Sequence, residues 1–315
     1  MLFSLALIPV IVLLLFIFFK DKKEKEPIGL LILLFIGGII SIVPAIILES
    51  GGQLILDTVL PDGSAVKAVL FAMVIVGPAE EWGKYIILRL FTWKNKHFDY
   101  SYDAIVYAVF TSLGFAAIEN VGYVSDGGLT TALLRMFTAV PGHACFAVFM
   151  GYNYSKAKYA SLTNNKRDCK KFKARSLVIP IITHGVYDAI VMGGTSTGDI
   201  TLVGVSLALW IIYVVVMFIF AFITVIKSSK NDFCIVTLPG AVQTVYNPVF
   251  LGNWTCGCGT VNQLNFCGRC GNRRPFNETW ICPVCGTMSV FNYCGCCGSP
   301  KPQAQLQMQP QMQLQ

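Results

Sequence analysis

Residues 66–90 read VKAVLFAMVIVGPAEEWGKYIILRL, an apolar run whose second half carries four charged side chains, three of them between residues 80 and 84. The run has the length that a helix needs to cross a bilayer, roughly 17–25 residues. Glu80 and Lys84 are four residues apart, so we expect them to pair on one helix face. Glu81 lies about 100° round the helix from Glu80, and we expect it to be free of that pairing. Since ionisable groups at bilayer depth are costly and usually functional, this helix is the first candidate for an active element.

Six similar apolar runs accompany this one along the chain. The composition agrees, because 55% of the residues are hydrophobic and 13% are charged, whereas a soluble domain has about a quarter charged residues. We therefore predict an all-α polytopic membrane protein with about seven transmembrane helices. The runs lie at about 2–19, 28–48, 66–90, 102–124, 130–154, 176–192 and 200–226.

Basic residues alternate between the connections of these runs. They follow the first, third, fifth and seventh runs, while the other connections carry mostly acidic residues. Lys67 and Arg135 are exceptions, near the outer ends of their helices. The positive-inside rule then predicts a cell-membrane protein with its N-terminus outside and its C-terminus in the cytosol. The net charge of +7 is explained by loops resting on an anionic bilayer, so a nucleic-acid partner is not expected. The loops 49–65 and 125–130 contain Gly and are candidates for shaping a substrate entry.

Further ionisable side chains fall within the later helices. Glu119 lies in the fourth run, His143 in the fifth, and His184 and Asp188 share one face of the sixth. Two of the three His residues are therefore in membrane spans. Carboxylates and imidazoles that meet in a water-accessible cavity can activate water, as a general base or by holding a metal. A buried polar network that merely orders the helices is the alternative.

A cysteine-rich module follows the last apolar run. Two segments, WTCGCGTVNQLNFCGRCG from Trp254 and WICPVCGTMSVFNYCGCCG from Trp280, repeat one pattern. Paired thiolates from tight Gly-containing turns are typical of structural zinc sites. Metal would supply the stability of so short and polar a segment. Disulfides are disfavoured in the cytosol. The predicted zinc ligands are Cys256, Cys258, Cys267 and Cys270 for one Zn(II), and Cys282, Cys285, Cys294 and Cys297 for a second.

These observations divide the chain into four parts. We predict a transmembrane domain at 1–226, a linker at 227–252, a double zinc ribbon at 253–300 and a Gln-rich disordered tail at 301–315. The ribbon is the candidate docking site for a cytosolic protein partner. Arg269, Arg273 and Arg274 give too weak a charge to indicate nucleic acid.

The ordered set of membrane motifs resembles the PrsW family of intramembrane proteases, which is distantly related to the CAAX endopeptidases and bacteriocin-processing proteins. The motifs are Glu80-Glu81-x-x-Lys84, Phe115-x-x-x-Glu119-Asn120, Gly142-His143 and His184-x-x-x-Asp188. The resemblance implies hydrolysis of a peptide bond of a membrane-anchored protein, with an anti-sigma factor or similar regulator as the candidate substrate. It also implies a bacterial protein, and it implies that the catalytic residues are Glu80, Glu81, Glu119, His143, His184 and Asp188.

Two chemistries are open for such a site. In one, a Glu is the general base and a His, with Asp188 or Asn120, stabilises the oxyanion. In the other, His143, His184 and a Glu hold a further divalent metal, Zn(II) for example, with one position left for water. Two other function classes compete with the protease: a scaffold or immunity-type protein that recruits a cytosolic partner through the ribbons, and an ion or proton transporter that uses the same carboxylates.

Overall fold

The computed structural model describes residues 2–236 and, nearer the C-terminus, 254–255, 257–262, 269, 280–282, 284 and 288–289. The chain separates into two units. The first comprises Met1–Ser161 and Asn165–Phe233, and the second comprises Leu162–Asn164 and Cys234–Gln315. The first unit contains the membrane helices and the candidate site.

Helices cover all seven apolar runs, so the predicted all-α membrane architecture is confirmed. One π-helical turn, Phe71–Val76, interrupts the third run. The α-helices are α1 (Leu2–Lys20), α2 (Ile28–Ile40), α3 (Ile42–Val59), α4 (Ala65–Leu70), α5 (Gly77–Thr92), α6 (Asp103–Phe137), α7 (Ala139–Leu162), α8 (Lys166–Thr195) and α9 (Ile200–Lys230).

Five segments of the described chain are long and apolar enough to cross a membrane, and one of them, Asp103–Leu162, holds two of the predicted spans. The helical stretch 65–92 is not among the five, and it carries the charged residues of the first motif. Its 28 residues would extend about 42 Å at 1.5 Å per residue, more than the roughly 30 Å of a hydrocarbon core. Many large apolar side chains of α1, α2, α3 and α9 are exposed, as expected of lipid-facing helices.

α6 is the centre of the first unit. It packs against α1, α2 and α5, and nearly all of its residues from Asp103 to Ala117 are buried. Two glycines allow close backbone approach to α2: a Cβ added to Gly114 would lie 2.0 Å from the carbonyl oxygen of Phe35, and one added to Gly38 would lie 1.9 Å from that of Thr111. Small residues of this kind are what lets membrane helices pack without a hydrophobic driving force.

Two predicted loops are helical. The expected loop 49–65 belongs mostly to α3, which continues to Val59, and the expected loop 125–130 lies within α6. Gly128 is the exception there, with a φ of 65° that kinks the helix. Apolar runs underestimate helix length because a helix can continue through the polar interface after its hydrophobic stretch has ended.

The described residues of the second unit include two short antiparallel strand pairs. β1 (Trp254–Thr255) pairs with β2 (Val261–Asn262), and β3 (Trp280–Ile281) pairs with β4 (Met288–Ser289). Each pair brackets the first two cysteines of one predicted ribbon, and Gly259 adopts a φ of 82° in the first turn. Of the eight predicted zinc ligands, Cys258 and Cys282 are described. The other six, the predicted linker after residue 236 and the predicted tail 301–315 lie outside the described residues, so the zinc sites and domain bounds stay predictions.

Candidate active site

α5 begins directly after the π-helical turn and carries the charged motif on its buried side. Glu80, Glu81 and Lys84 are 5%, 0% and 1% exposed. A Cβ added to Gly77, the first residue of α5, would lie 3.0 Å from the carbonyl oxygen of Ile181, so Gly favours this close approach to the α8 backbone. π-turns are frequent at functional sites, and this one lies just before the two Glu residues.

Lys84 bonds to both glutamates. Its Nζ lies 3.1 Å from Glu80 Oε2 and 2.8 Å from Glu81 Oε1. The expected pairing of Glu80 with Lys84 is therefore present, but the expectation that Glu81 would be free of it is wrong. Residues three apart on a helix are neighbours just as residues four apart are, and one ammonium can reach both carboxylates.

α7 brings His143 against this pair. Its Nδ1 lies 3.1 Å from Lys84 Nζ, and its Nε2 lies 2.8 Å from Glu119 Oε2 of α6. The same Glu119 oxygen lies 2.9 Å from Arg135 Nη2. The sequence interpretation treated Arg135 only as an exception to the charge pattern and missed this ion pair, which depends on how α6 bends before it ends.

α8 contributes His184 from the other side. Its Nδ1 lies 3.0 Å from Glu81 Oε1, and its Nε2 lies 3.2 Å from Asp188 Oδ2. The ring of Phe146 stacks on the imidazole with the ring centroids 4.5 Å apart, and the centroids of the two imidazoles are 5.2 Å apart. These apolar and aromatic neighbours restrict the orientation of the ring. Phe146 was not singled out from the sequence because an aromatic residue in an apolar run carries no functional signal.

The six candidate catalytic residues thus meet in one cluster built by α5, α6, α7 and α8. Glu80, Glu81, His143 and His184 form its buried centre, while Glu119 and Asp188 flank it with side chains 16% and 22% exposed. Asn120, one of the candidates for oxyanion stabilisation, lies elsewhere. Its Nδ2 donates to the carbonyl oxygen of Ala6, and its Oδ1 accepts from Arg135 Nε.

The donor set of the centre suits a divalent metal. One ligand atom from each of Glu80, Glu81, His143 and His184 lies within 4.8 Å of the others. The Nε2 atom of each imidazole lies within hydrogen-bond distance of a carboxylate, which is the usual way that proteins orient a metal-binding His. That arrangement directs both Nδ1 atoms towards the centre, and Glu81 Oε2 is buried with no hydrogen-bond partner among the described residues.

The net charge of the cluster also favours a bound divalent metal. Four carboxylates, Glu80, Glu81, Glu119 and Asp188, lie with two cations, Lys84 and Arg135, which leaves two negative charges if both imidazoles are neutral. A divalent cation would neutralise them. Lys84 bonds to three of the four central side chains, so its ammonium and a metal compete for the same lone pairs.

A family model described as "PrsW family intramembrane metalloprotease" matches residues 26–224. The chain belongs to the PrsW family. The matched range contains every residue of the cluster, and it ends before the cysteine-rich repeats. The predicted resemblance to PrsW proteases is confirmed, and the chain is accordingly an intramembrane peptidase of a bacterial membrane.

Curated relatives agree with this membership. The chain is 31% identical over 209 residues to a protein named Protease PrsW from Halalkalibacterium halodurans, a match covering 66% of this chain and 92% of the relative. It is 34% identical to the Protease PrsW of Clostridioides difficile, covering 66% and 87%, and 28% identical to that of Bacillus subtilis, covering 72% and 94%. No solved structure matches the chain.

Proposed function

We propose that this PrsW-family peptidase cleaves a peptide bond of a membrane-anchored protein at the centre formed by Glu80, Glu81, His143 and His184. The observation that carries the proposal is the meeting of four buried donor side chains within 4.8 Å, with a carboxylate behind each imidazole. A network that served only to order the helices would not need a carboxylate oxygen buried without a partner, as Glu81 Oε2 is among the described residues.

In this proposal Glu80, His143 and His184 would hold a divalent metal, each imidazole through its Nδ1. Such a metal, when bound, would polarise the scissile carbonyl and acidify a water molecule. Glu119 and Asp188 accept the Nε2 protons and so fix which nitrogen of each imidazole faces the centre.

Glu81 is the proposed general base. Its Oε1 is held by Lys84, which leaves Oε2 to take a proton from the attacking water and return it to the leaving amine. Lys84 balances the negative charge of the glutamates and can donate a hydrogen bond to the oxyanion as it forms. This arrangement takes the Glu general base from one of the two chemistries that the sequence left open and the metal from the other, with Lys84 rather than a His at the oxyanion.

The substrate is proposed to present an extended segment. Peptide bonds within a helix are shielded by their own hydrogen bonds, and the centre lies among buried helices rather than at an exposed surface. A single-span anti-sigma factor, the substrate class that the family resemblance suggested, could offer such a segment next to its transmembrane helix.

The test is cleavage of a single-span anti-sigma factor, tagged at both ends, by the purified full-length chain in liposomes. Glu81→Gln keeps the shape of the side chain but removes its basicity, and we expect it to abolish cleavage. Asp126→Asn, which removes one negative charge from an exposed position of α6, should cleave as the wild type does. Equal cleavage by the Glu81→Gln variant would overturn the assignment.

For the C-terminal unit we propose two structural zinc ions, a cytosolic location and a role in docking a cytosolic protein. The repeated cysteine spacing supports the zinc sites, as do the two strand pairs and the turn at Gly259. The cytosolic location, with the N-terminus outside, is supported by the alternation of basic loops.

A further inference from the structure

A second group of buried acidic side chains lies at the end of the first unit that carries the basic connections. Asp21 and Glu26 belong to the connection between α1 and α2, and Asp103 is the first residue of α6. One oxygen from each lies within 4.8 Å of the other two. The three residues are 1%, 3% and 0% exposed, respectively.

Several oxygens in this group have no hydrogen-bond partner among the described residues: both carboxylate oxygens of Asp21, Oδ1 of Asp103 and the nearby hydroxyl of Tyr102, a fully buried side chain. Asp103 Oδ2, by contrast, accepts the backbone N–H groups of Asp99 and Tyr100 at 3.0 and 2.7 Å. Tyr107 donates its hydroxyl proton to Glu26 Oε2. Buried polar atoms are nearly always satisfied, so this set of orphan oxygens requires an explanation.

Positively charged side chains of the described residues do not balance these buried carboxylates. Within residues 2–236, none of the three carboxylates forms an ion pair with a Lys or Arg. Lys25 is close, but its Nζ donates to the backbone carbonyl oxygens of Phe18 and Asp21 rather than to a carboxylate. Burying charge without a counter-charge costs several kcal/mol or more, so either protons or a cation must balance this group.

We propose that Asp21, Glu26 and Asp103 form a site for a hard divalent cation, Mg²⁺ or Ca²⁺. The group offers only oxygen donors, carboxylates with a phenol oxygen alongside, and these are the ligands that Mg²⁺ and Ca²⁺ prefer. Among the described residues, the group includes no nitrogen or sulfur donor of the kind that selects zinc or copper.

The site is distinct from the peptidase centre. Asp103 and Glu119 are sixteen residues apart in α6, which corresponds to about 24 Å along the helix. A cation here would tie the connection between α1 and α2 to the start of α6, the helix against which both pack. Its proposed effect is to stabilise the bundle, independently of the hydrolytic chemistry.

The experiment is a calorimetric titration of the purified full-length chain in detergent with CaCl₂ and, separately, MgCl₂. All proteins carry Glu81→Gln, so that the membrane centre is altered equally in each. Asp21→Asn is the test variant, because the Asp21 carboxylate makes no hydrogen bond among the described residues and the amide is of the same size. Glu24→Gln is the matched control, since it removes one charge from an exposed side chain of the same connection.

We expect saturable binding of one Ca²⁺ or Mg²⁺ ion and a rise of several degrees in the melting temperature on saturation. Asp21→Asn should raise the Kd at least tenfold and remove that rise, while Glu24→Gln should change neither. The absence of saturable binding of both cations in the Glu81→Gln background would overturn the proposal, because the carboxylates would then be balanced by protons. Equal binding by the Asp21→Asn and Glu24→Gln proteins would overturn it as well.

Discussion

Replacing Glu119 with Gln removes the charge from a carboxylate whose Oε2 lies 2.8 Å from His143 Nε2 and 2.9 Å from Arg135 Nη2. The amide oxygen of Gln can still accept the Nε2 proton, so the fold should survive. A hydrogen bond to a charged group contributes about 1.5–3 kcal/mol, roughly twice a neutral one. The loss is therefore about 1–2 kcal/mol, which corresponds to a drop of roughly 5- to 30-fold in kcat/KM.

The assay is the initial rate of substrate cleavage in liposomes, with metal returned in steps after chelation. We expect Glu119→Gln to need more metal for half-maximal activity, because a His oriented by a carboxylate is the better ligand. The double variant Arg135→Gln, Glu119→Gln should have a kcat/KM no lower than that of Glu119→Gln alone. The Glu119→Gln change by itself already removes the carboxylate with which Arg135 pairs. Unchanged kcat/KM and metal requirement in Glu119→Gln would refute the idea that Glu119 orients His143.

Three further predictions concern other parts of the chain. Asp188→Asn should lower kcat/KM roughly 10- to 100-fold, through the misorientation of His184, whereas a drop no larger than that of the exposed-site variant Asp126→Asn would count against this role. Gly114→Ala should lower the melting temperature, because its Cβ would lie 2.0 Å from a backbone oxygen of α2, while Gly122→Ala in the same helix, where the Cβ meets no atom within 4 Å, should leave it unchanged or raise it. Cys258→Ser should reduce the zinc content of the purified chain by about one ion without affecting cleavage, and an unchanged zinc content would contradict the ribbon assignment.

Much of the fold could be predicted from hydropathy, because lipid requires every spanning segment to be helical and apolar. The helix ends were less predictable, as the extension of α3 to Val59 illustrates. Glu80, Glu81, His143 and His184 could be found as a set because ionisable residues are rare in apolar runs and each one is conspicuous.

The remaining features depend on tertiary packing. Arg135 reaches Glu119 because Gly128 kinks α6, and a sequence pattern does not reveal the direction of such a kink. Asp21, Glu26 and Asp103 come from connections and helix starts, where acidic residues are ordinary, so their burial as a group is visible only in three dimensions.

The most direct test of the central claim uses the three histidines of the chain. Each is replaced by Gln in turn, and cleavage of one membrane-anchored substrate is measured at equal amounts of folded protein. His143→Gln and His184→Gln should each lose at least 100-fold in kcat/KM, while His97→Gln, in the connection before α6, should retain wild-type cleavage. Wild-type cleavage by the His143→Gln or the His184→Gln protein would contradict the account.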